Sequence, residues 1–109
     1  MLVKTTNKPL ELPAAEIILA GGKICLVDPG DFEYLNQFKW FLKKSASKYY
    51  VVTTMRVLGK KIFVRMHRVV ALTPPWLLCH HINGNSLDNR RANLQNMTEY
   101  DHVKCHSWR

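Results

Sequence analysis

Residues 82–93 restrict the fold more than any other part of the chain, because this run is dense in Asn, Gly and Asp. These residue types tolerate positive φ and hydrogen-bond to their own backbone, which predicts a long, ordered turn. Two adjacent histidines, His80 and His81, precede the turn, and a second pair, His102 and His106, follows it. We therefore expect the chain to fold so that the two histidine pairs face each other across the turn.

The segments on either side of the turn carry their own signals. Residues 76–82 are expected to form a strand, and residues 93–98 alternate polar and apolar side chains enough for a second short strand. Thr98 is an N-cap candidate, and the acidic residues after it favour the start of a helix. On that helix His102 and His106 would lie one turn apart on the same face, a spacing with which two imidazoles can hold one metal ion.

Adjacent histidines on a strand can divide the work of a metal-dependent hydrolase. Successive strand side chains point to opposite faces, so His80 could turn towards a metal ion while His81 faces an attacking water. A divalent ion polarises a phosphoryl oxygen, a base activates the water, and neutral imidazole suits both roles. The histidines therefore indicate a one-metal site for phosphodiester hydrolysis.

The region before the histidines predicts a small antiparallel sheet with a short helix, so the fold class is α+β. Residues 1–15 are expected to form an extended arm, and residues 16–72 the sheet and helix module. The turn signals are Gly21-Gly22 and Leu58-Gly59, and Thr73-Pro74-Pro75 is expected to end a helix. The expected elements are strands 16–19 and 23–27 around Gly21-Gly22, a helix from an Asp31 N-cap to Phe38, strands 40–43, 48–56 and 60–65 with the last two joined by Leu58-Gly59, and a helix over 67–72.

The charge of the chain favours a nucleic-acid partner. Sixteen Lys and Arg against eight Asp and Glu give a formal net charge of +8 and a pI near 9.7, as expected of a protein that neutralises phosphates. The cations are interleaved with aromatic side chains, although a plain solvated surface would also carry such charges. The predicted DNA contacts are Lys43, Lys44, Lys60, Lys61, Arg68, Arg90 and Arg91.

Cysteine content and hydropathy bear on the compartment. Three cysteines, no export signal and no long apolar run predict a reducing, cytoplasmic environment and argue against a disulfide framework. At 109 residues the chain is one domain, or a small module fused to a catalytic motif. We expect a monomer or a weak dimer that binds DNA and no membrane.

Two stretches of the sequence resemble one known family. The chain reads MHRVVA at residues 66–71 and HHINGNSLDNRRANL at residues 80–94, which resembles the HNH endonucleases of phages and mobile introns, with their MHRL stretch followed by DHINGN, LDNRR and NLR. The similarity extends over nearly the whole chain after residue 15. It implies a ββα-metal (His-Me finger) motif over residues 73–109 and the hydrolysis of DNA phosphodiester bonds.

The resemblance also implies roles for individual residues. His81 would be the general base, Asn93 would pin the loop that carries the base, and His102 would bind the metal ion. His80 departs from the commoner aspartate ligand and, with His106, is similar to the bacteriocin-type members of the family. Magnesium or manganese is the expected ion, and zinc or nickel is possible because the ligands are imidazoles.

Cysteines beside the histidines leave a different class of function open. Cys79 and Cys105 flank the two pairs, so Cys79, His81, His102 or Cys105, and His106 could form a structural zinc site in a non-catalytic DNA-binding module. The chain lacks a tight Cys-x-x-Cys knuckle, which disfavours this alternative. His67 is expected to pack a helix start or to orient a ligand from behind.

Overall fold

The computed structural model of the chain describes the backbone of residues 13–106 and the side chains of residues 13–102. Within that part, small antiparallel sheets alternate with short helices, which confirms the α+β prediction. The strands are β1 (Ala15–Ile18), β2 (Ile24–Val27), β3 (Phe41–Ser45), β4 (Lys48–Val57), β5 (Lys60–Arg65), β6 (Leu78–His81) and β7 (Leu94–Met97). The helices are α1 (Pro29–Leu35), α2 (Met66–Val70) and α3 (Glu99–His106), with a single 3₁₀ turn at Arg91–Asn93.

The sheets are those that the turn signals predicted. β1 pairs with β2, β4 lies between β3 and β5, and β6 pairs with β7, all antiparallel. The β4–β5 hairpin turns through Leu58 and Gly59, both with positive φ (53° and 79°). Two left-handed residues make the turn twist in the same sense as the strands, which is why this two-residue loop closes the hairpin.

Two element boundaries differ from the sequence prediction. α1 begins at Pro29 and ends at Leu35, so Asp31 lies in the first turn and does not cap the helix, and Phe38 lies beyond it. Proline starts the helix earlier because its fixed φ suits the first helical position and its missing N–H is not needed there. β6 begins only at Leu78, since the Leu77 N–H donates to the Pro74 carbonyl at 3.1 Å and so closes a turn before the strand.

One hydrophobic core lies between the first hairpin, α1, α2 and the middle of β4. The Asn-rich loop packs on it through Leu87, and β7 packs on it through Leu94. The loop is also bonded to β2, because Leu26 donates its N–H to the Leu87 carbonyl and accepts one from Asn89, both at 2.8 Å. The buried core residues are Ile17, Leu19, Cys25, Val27, Leu35, Trp40, Val51, Met66 and Val70.

Most of the predicted extended arm, residues 1–12, lies outside the described residues, and Ala15 already belongs to β1. Across residues 13–106, no helix has the length and apolar character needed to cross a membrane.

Candidate active site

An open cleft of about 280 Å³ lies where β6 meets the Asn-rich loop. His80, His81 and His102 all line it, so three of the four histidines singled out in the sequence are brought together. The side chain of the fourth, His106, lies outside the described residues. The other lining residues are Lys48, Tyr49, Tyr50, Cys79, Gly84 and Ser86.

Short elements hold the three histidines in place. His80 and His81 end β6, opposite Gln95 and Leu94 of β7. α3 then starts after Thr98, whose hydroxyl accepts a hydrogen bond from the Asp101 N–H at 3.1 Å, so Thr98 caps the helix as predicted. The first turn of α3 brings His102 back over β6.

His80 and His102 form a close imidazole pair. Their ring centroids are 5.4 Å apart, and the rings are nearly perpendicular, at 75°. Among the described side chains no group of three or more His, Cys, Asp or Glu could hold a metal ion. If this pair held an ion, two imidazoles would suit zinc, nickel or manganese better than magnesium.

His81 lines the same cleft but has different neighbours, which hold it on two sides. Its Nε2 lies 2.7 Å from Oδ1 of Asn89, and its ring stacks on His67 with centroids 4.7 Å apart. Burial lowers the pKa of His81, against an opposing effect of the Asn89 contact. A lower pKa favours the neutral imidazole, the form that a general base requires.

A column of stacked groups continues behind His81. His67 stacks in turn on Tyr50 at 5.6 Å, and the Arg65 guanidinium lies 4.2 Å from the Tyr50 ring centroid. His67 is buried, and this burial lowers its pKa to about 3. His67 contacts His81 through its ring face, a contact that neither of the two roles predicted for His67 from the sequence included.

Asn93 is fully buried and braces the loop from inside. Its Oδ1 accepts the Asn83 N–H at 3.0 Å, and its Nδ2 donates to Asn83 Oδ1 and to the Asp88 carbonyl, each at 2.9 Å. Its own carbonyl accepts the Ile82 N–H at 2.8 Å. These bonds tie both ends of the loop to one amide, which is the geometry that a loop-pinning residue requires.

The two loop arginines do not lie where the sequence reasoning expected. Arg90 is 1% exposed, and its Nε and one terminal nitrogen each donate to Asp88 at 2.8 Å, so it cannot reach a phosphate in this conformation. Arg91 is exposed, but its guanidinium is paired with Asp31 of α1 at 2.7 Å. The burial of Arg90 disagrees with its predicted DNA contact, whereas Arg91 is exposed and its predicted DNA contact stays a prediction.

Arg68 is likewise occupied by the protein. It donates to the carbonyls of Leu77 and Pro74, at 3.0 and 2.9 Å, and so fastens the turn that leads into β6. Its place in the fold is a link between α2 and the turn before β6.

The predicted lysine contacts divide between the two faces of the β3–β4–β5 sheet. Lys43 opposes Tyr50, and Lys61 opposes Arg56, so both lie on the face that also bears Phe63. Lys43 and Lys61 lie over that ring, with Nζ 4.4 and 5.7 Å from the centroid. Lys44 and Lys60 lie on the other face, the one from which Val51 enters the core.

Sequence reasoning missed Asn89 and Lys48 as residues of the site. Asn89 contacts His81, and Lys48 lines the cleft. Asn89 was visible only as one of several loop amides, because nothing in its spacing shows which amide meets a histidine. Lys48 was counted as surface charge, since the sequence does not show that β4 starts beside β6.

The ligands of the alternative zinc site are engaged in other contacts where the structure describes them. Cys79 directs its Sγ at the His67 carbonyl, 3.6 Å away, and burial raises the pKa of this thiol. His81 is held by Asn89. The side chains of Cys105 and His106 lie outside the described residues.

No family model matches the chain, and no curated protein or solved structure matches it significantly. A functional conclusion therefore rests on the residues of the cleft and the surface beside it.

Proposed function

We propose that the protein is a metal-dependent DNA endonuclease of the HNH type, with a ββα-metal motif built from β6, β7 and α3. The observation that carries this proposal is the convergence of His80, His81 and His102 on one open cleft. The imidazole pair His80–His102 and the separately held His81 divide the site into a metal-binding side and a basic side.

The basic side of the cleft performs the proton transfer. Neutral His81 takes a proton from a water molecule, and the resulting hydroxide attacks the phosphorus atom of the scissile phosphate. The bond between phosphorus and the 3′ oxygen then breaks, and the leaving oxygen takes up a proton from solvent. Contact with Asn89 and His67 fixes the ring during this step, so that no rotation has to be frozen in the transition state.

The metal-binding side consists of His80 and His102. A divalent ion held there would supply charge to stabilise the phosphoryl oxygens of the transition state. Lys48, on the wall of the same cleft, adds a further positive charge for the phosphate.

The proposed DNA-binding surface is the face of the β3–β4–β5 sheet that bears Lys43, Lys61 and Phe63, called the outer face below. A groove of about 230 Å³ on this face is lined by Lys43, Phe63 and Arg65, and it shares Tyr50 with the cleft. A strand that enters the cleft can therefore continue over Tyr50 onto this groove. Each cation there lies against an aromatic ring, which holds it at the surface at a gain of about 0.5–1 kcal/mol.

Single-turnover cleavage of a labelled DNA duplex at saturating protein tests the proposal, with Mg²⁺, Mn²⁺, Zn²⁺ or Ni²⁺ added in turn and a chelator as the control. We expect metal-dependent cleavage, and we expect His81→Ala to slow it by about 10²- to 10⁴-fold with little change in DNA affinity. DNA binding without cleavage under any of these ions would instead support the zinc-stabilised binding module. Cleavage by His81→Ala within a few-fold of the wild-type rate would remove His81 from the mechanism.

A further inference from the structure

Asn89 is buried, at 1% exposure, yet it lies against the histidine that carries the proposed chemistry. Its side-chain Nδ2 donates towards the Ser86 carbonyl at 3.4 Å and contacts the sulfur atoms of Met66 and Cys25 at 3.4 and 3.5 Å. All three are acceptors, so the two N–H bonds of the amide are directed away from His81.

The hydrogen-bonding partners of the Asn89 side-chain amide fix which way its oxygen and nitrogen point. If the amide were reversed, Oδ1 would take the place of Nδ2 and face the Ser86 carbonyl oxygen, and two acceptors would meet at about the same distance. Burial excludes bulk water that could relieve this contact. Oδ1 therefore faces Nε2 of His81, 2.7 Å away.

We infer that Asn89 is a positioning residue that holds His81 in the tautomer with its proton on Nε2. An amide oxygen can only accept, so the 2.7 Å contact requires an Nε2–H donor. The lone pair of the neutral ring then resides on Nδ1, and Nδ1 is the atom that accepts the proton from water. The statement about Nδ1 rests on the proposed function, whereas the statement about the tautomer does not.

The backbone of Asn89 is itself anchored at a distance from the cleft. Its N–H donates to the Leu26 carbonyl of β2 at 2.8 Å, and the stack on His67 sets the plane of the His81 ring. The first hairpin of the chain thereby fixes which nitrogen of a histidine more than fifty residues later can act as a base.

Long-range ¹H–¹⁵N correlation spectra of protein labelled at histidine report directly which ring nitrogen carries the proton. In the wild-type protein without metal, we expect His81 to be protonated on Nε2. Asn89→Leu should shift His81 towards the Nδ1–H form or a mixture, and it should lower kcat by at least about tenfold with KM within about twofold. Asn89→Asp keeps an acceptor oxygen, so it should retain the Nε2–H form and recover part of kcat.

Asn96→Leu is the matched control. Asn96 is a half-buried amide whose Nδ2 donates to the Ala71 carbonyl, so its replacement should leave the tautomer of His81 unchanged. A wild-type proton on Nδ1 would overturn the inference without any variant having to fold. An unchanged tautomer and kcat in Asn89→Leu would also overturn it. If the Nε2–H form depends on Asn89 but no metal supports cleavage, the tautomer assignment stands and the nuclease proposal fails.

Discussion

At the scale of single residues, His67 links the stability of the protein to pH. Burial lowers its pKa from 6.5 to about 3, so the unfolded chain takes up a proton in a range where the folded chain does not. The stabilisation is fully present above pH 6.5 and is lost as pH falls towards 3. We therefore expect the free energy of unfolding to fall by about 1.4 kcal/mol per pH unit through most of this range.

Urea unfolding of the wild type and of His67→Phe at several pH values between 7 and 4 measures this contribution. Phenylalanine keeps a flat ring between Tyr50 and His81 but cannot take up a proton, so the wild type should lose stability relative to His67→Phe as the pH falls. Parallel curves would mean that His67 is protonated in the folded protein too.

The buried ion pair in the loop leads to a second prediction. Arg90→Ala leaves the Asp88 carboxylate, which is 0% exposed, without its charge partner, and should destabilise the fold by about 3–5 kcal/mol. Arg91→Ala breaks an ion pair whose arginine is 65% exposed and should cost about 1 kcal/mol or less. Chemical denaturation of both variants measures the contrast.

A double variant distinguishes an unpaired charge from lost packing. If the unpaired Asp88 causes the loss, Arg90→Met combined with Asp88→Leu should recover much of the stability. Equal stability of the two single variants would show that Arg90 is not held in the interior in solution.

The sequence predicted which residues lie close together where their spacing along the chain is enough to bring them together. The strand placed His80 and His81 together, and the capped helix placed His102 opposite them, because both inferences depend on local geometry. It failed for Arg90, since a charged loop residue looks exposed until its partner is known. Asp88 is two residues away, and only the fold of the loop turns that carboxylate inward.

At the scale of elements, the β4–β5 turn holds an unfavourable residue. Leu58 has φ 53° and is 97% exposed, so its side chain gains nothing from packing while its backbone is in the left-handed region. Asparagine tolerates this conformation and is preferred in turns of this type. Leu58→Asn should raise the free energy of unfolding by about 1 kcal/mol.

Denaturant titration measures this gain, with Ile62→Asn as the control. Ile62 is also an exposed apolar residue of this hairpin, but it lies within β5, paired with Met55. Asparagine is unfavourable in a strand, so the control should not be stabilised. A loss of stability in Leu58→Asn would mean that the leucine makes contacts that its exposure does not show.

Strands and helices were predictable from the sequence to within a few residues, because turn glycines, proline pairs and helix caps act locally. The hairpins at Gly21-Gly22 and Leu58-Gly59 formed as expected. The sequence did not predict in the same way which face of the sheet each side chain occupies. That Lys43 lies outward and Lys44 lies towards the core side follows from the pairing register with β4, which depends on the packing of Val51.

At the scale of the whole molecule, this division of lysines gives a prediction about DNA binding. Lys43→Ala and Lys61→Ala should each weaken binding to any DNA sequence and reduce the slope of log affinity against log salt by about one. Their sequence neighbours Lys44 and Lys60 carry the same charge on the opposite face and serve as controls, so their replacement should have smaller effects.

Fluorescence anisotropy of a labelled duplex over a range of salt concentrations provides this comparison. Equal losses from all four variants would show that DNA responds to overall charge and that the outer face of the sheet is no special contact surface.

Because the loop arginines pair with aspartates, other charges set the direction from which a polyanion approaches the protein. Arg90 and Arg91 are each offset by an aspartate, so within the described residues the loop over residues 82–93 adds little to the long-range field, and the sheet lysines contribute more. At physiological ionic strength that field extends about 8 Å from the surface. If DNA is the substrate, as proposed, this field would turn the molecule towards the sheet before contact, so that the histidine cleft would meet a strand whose direction is already set.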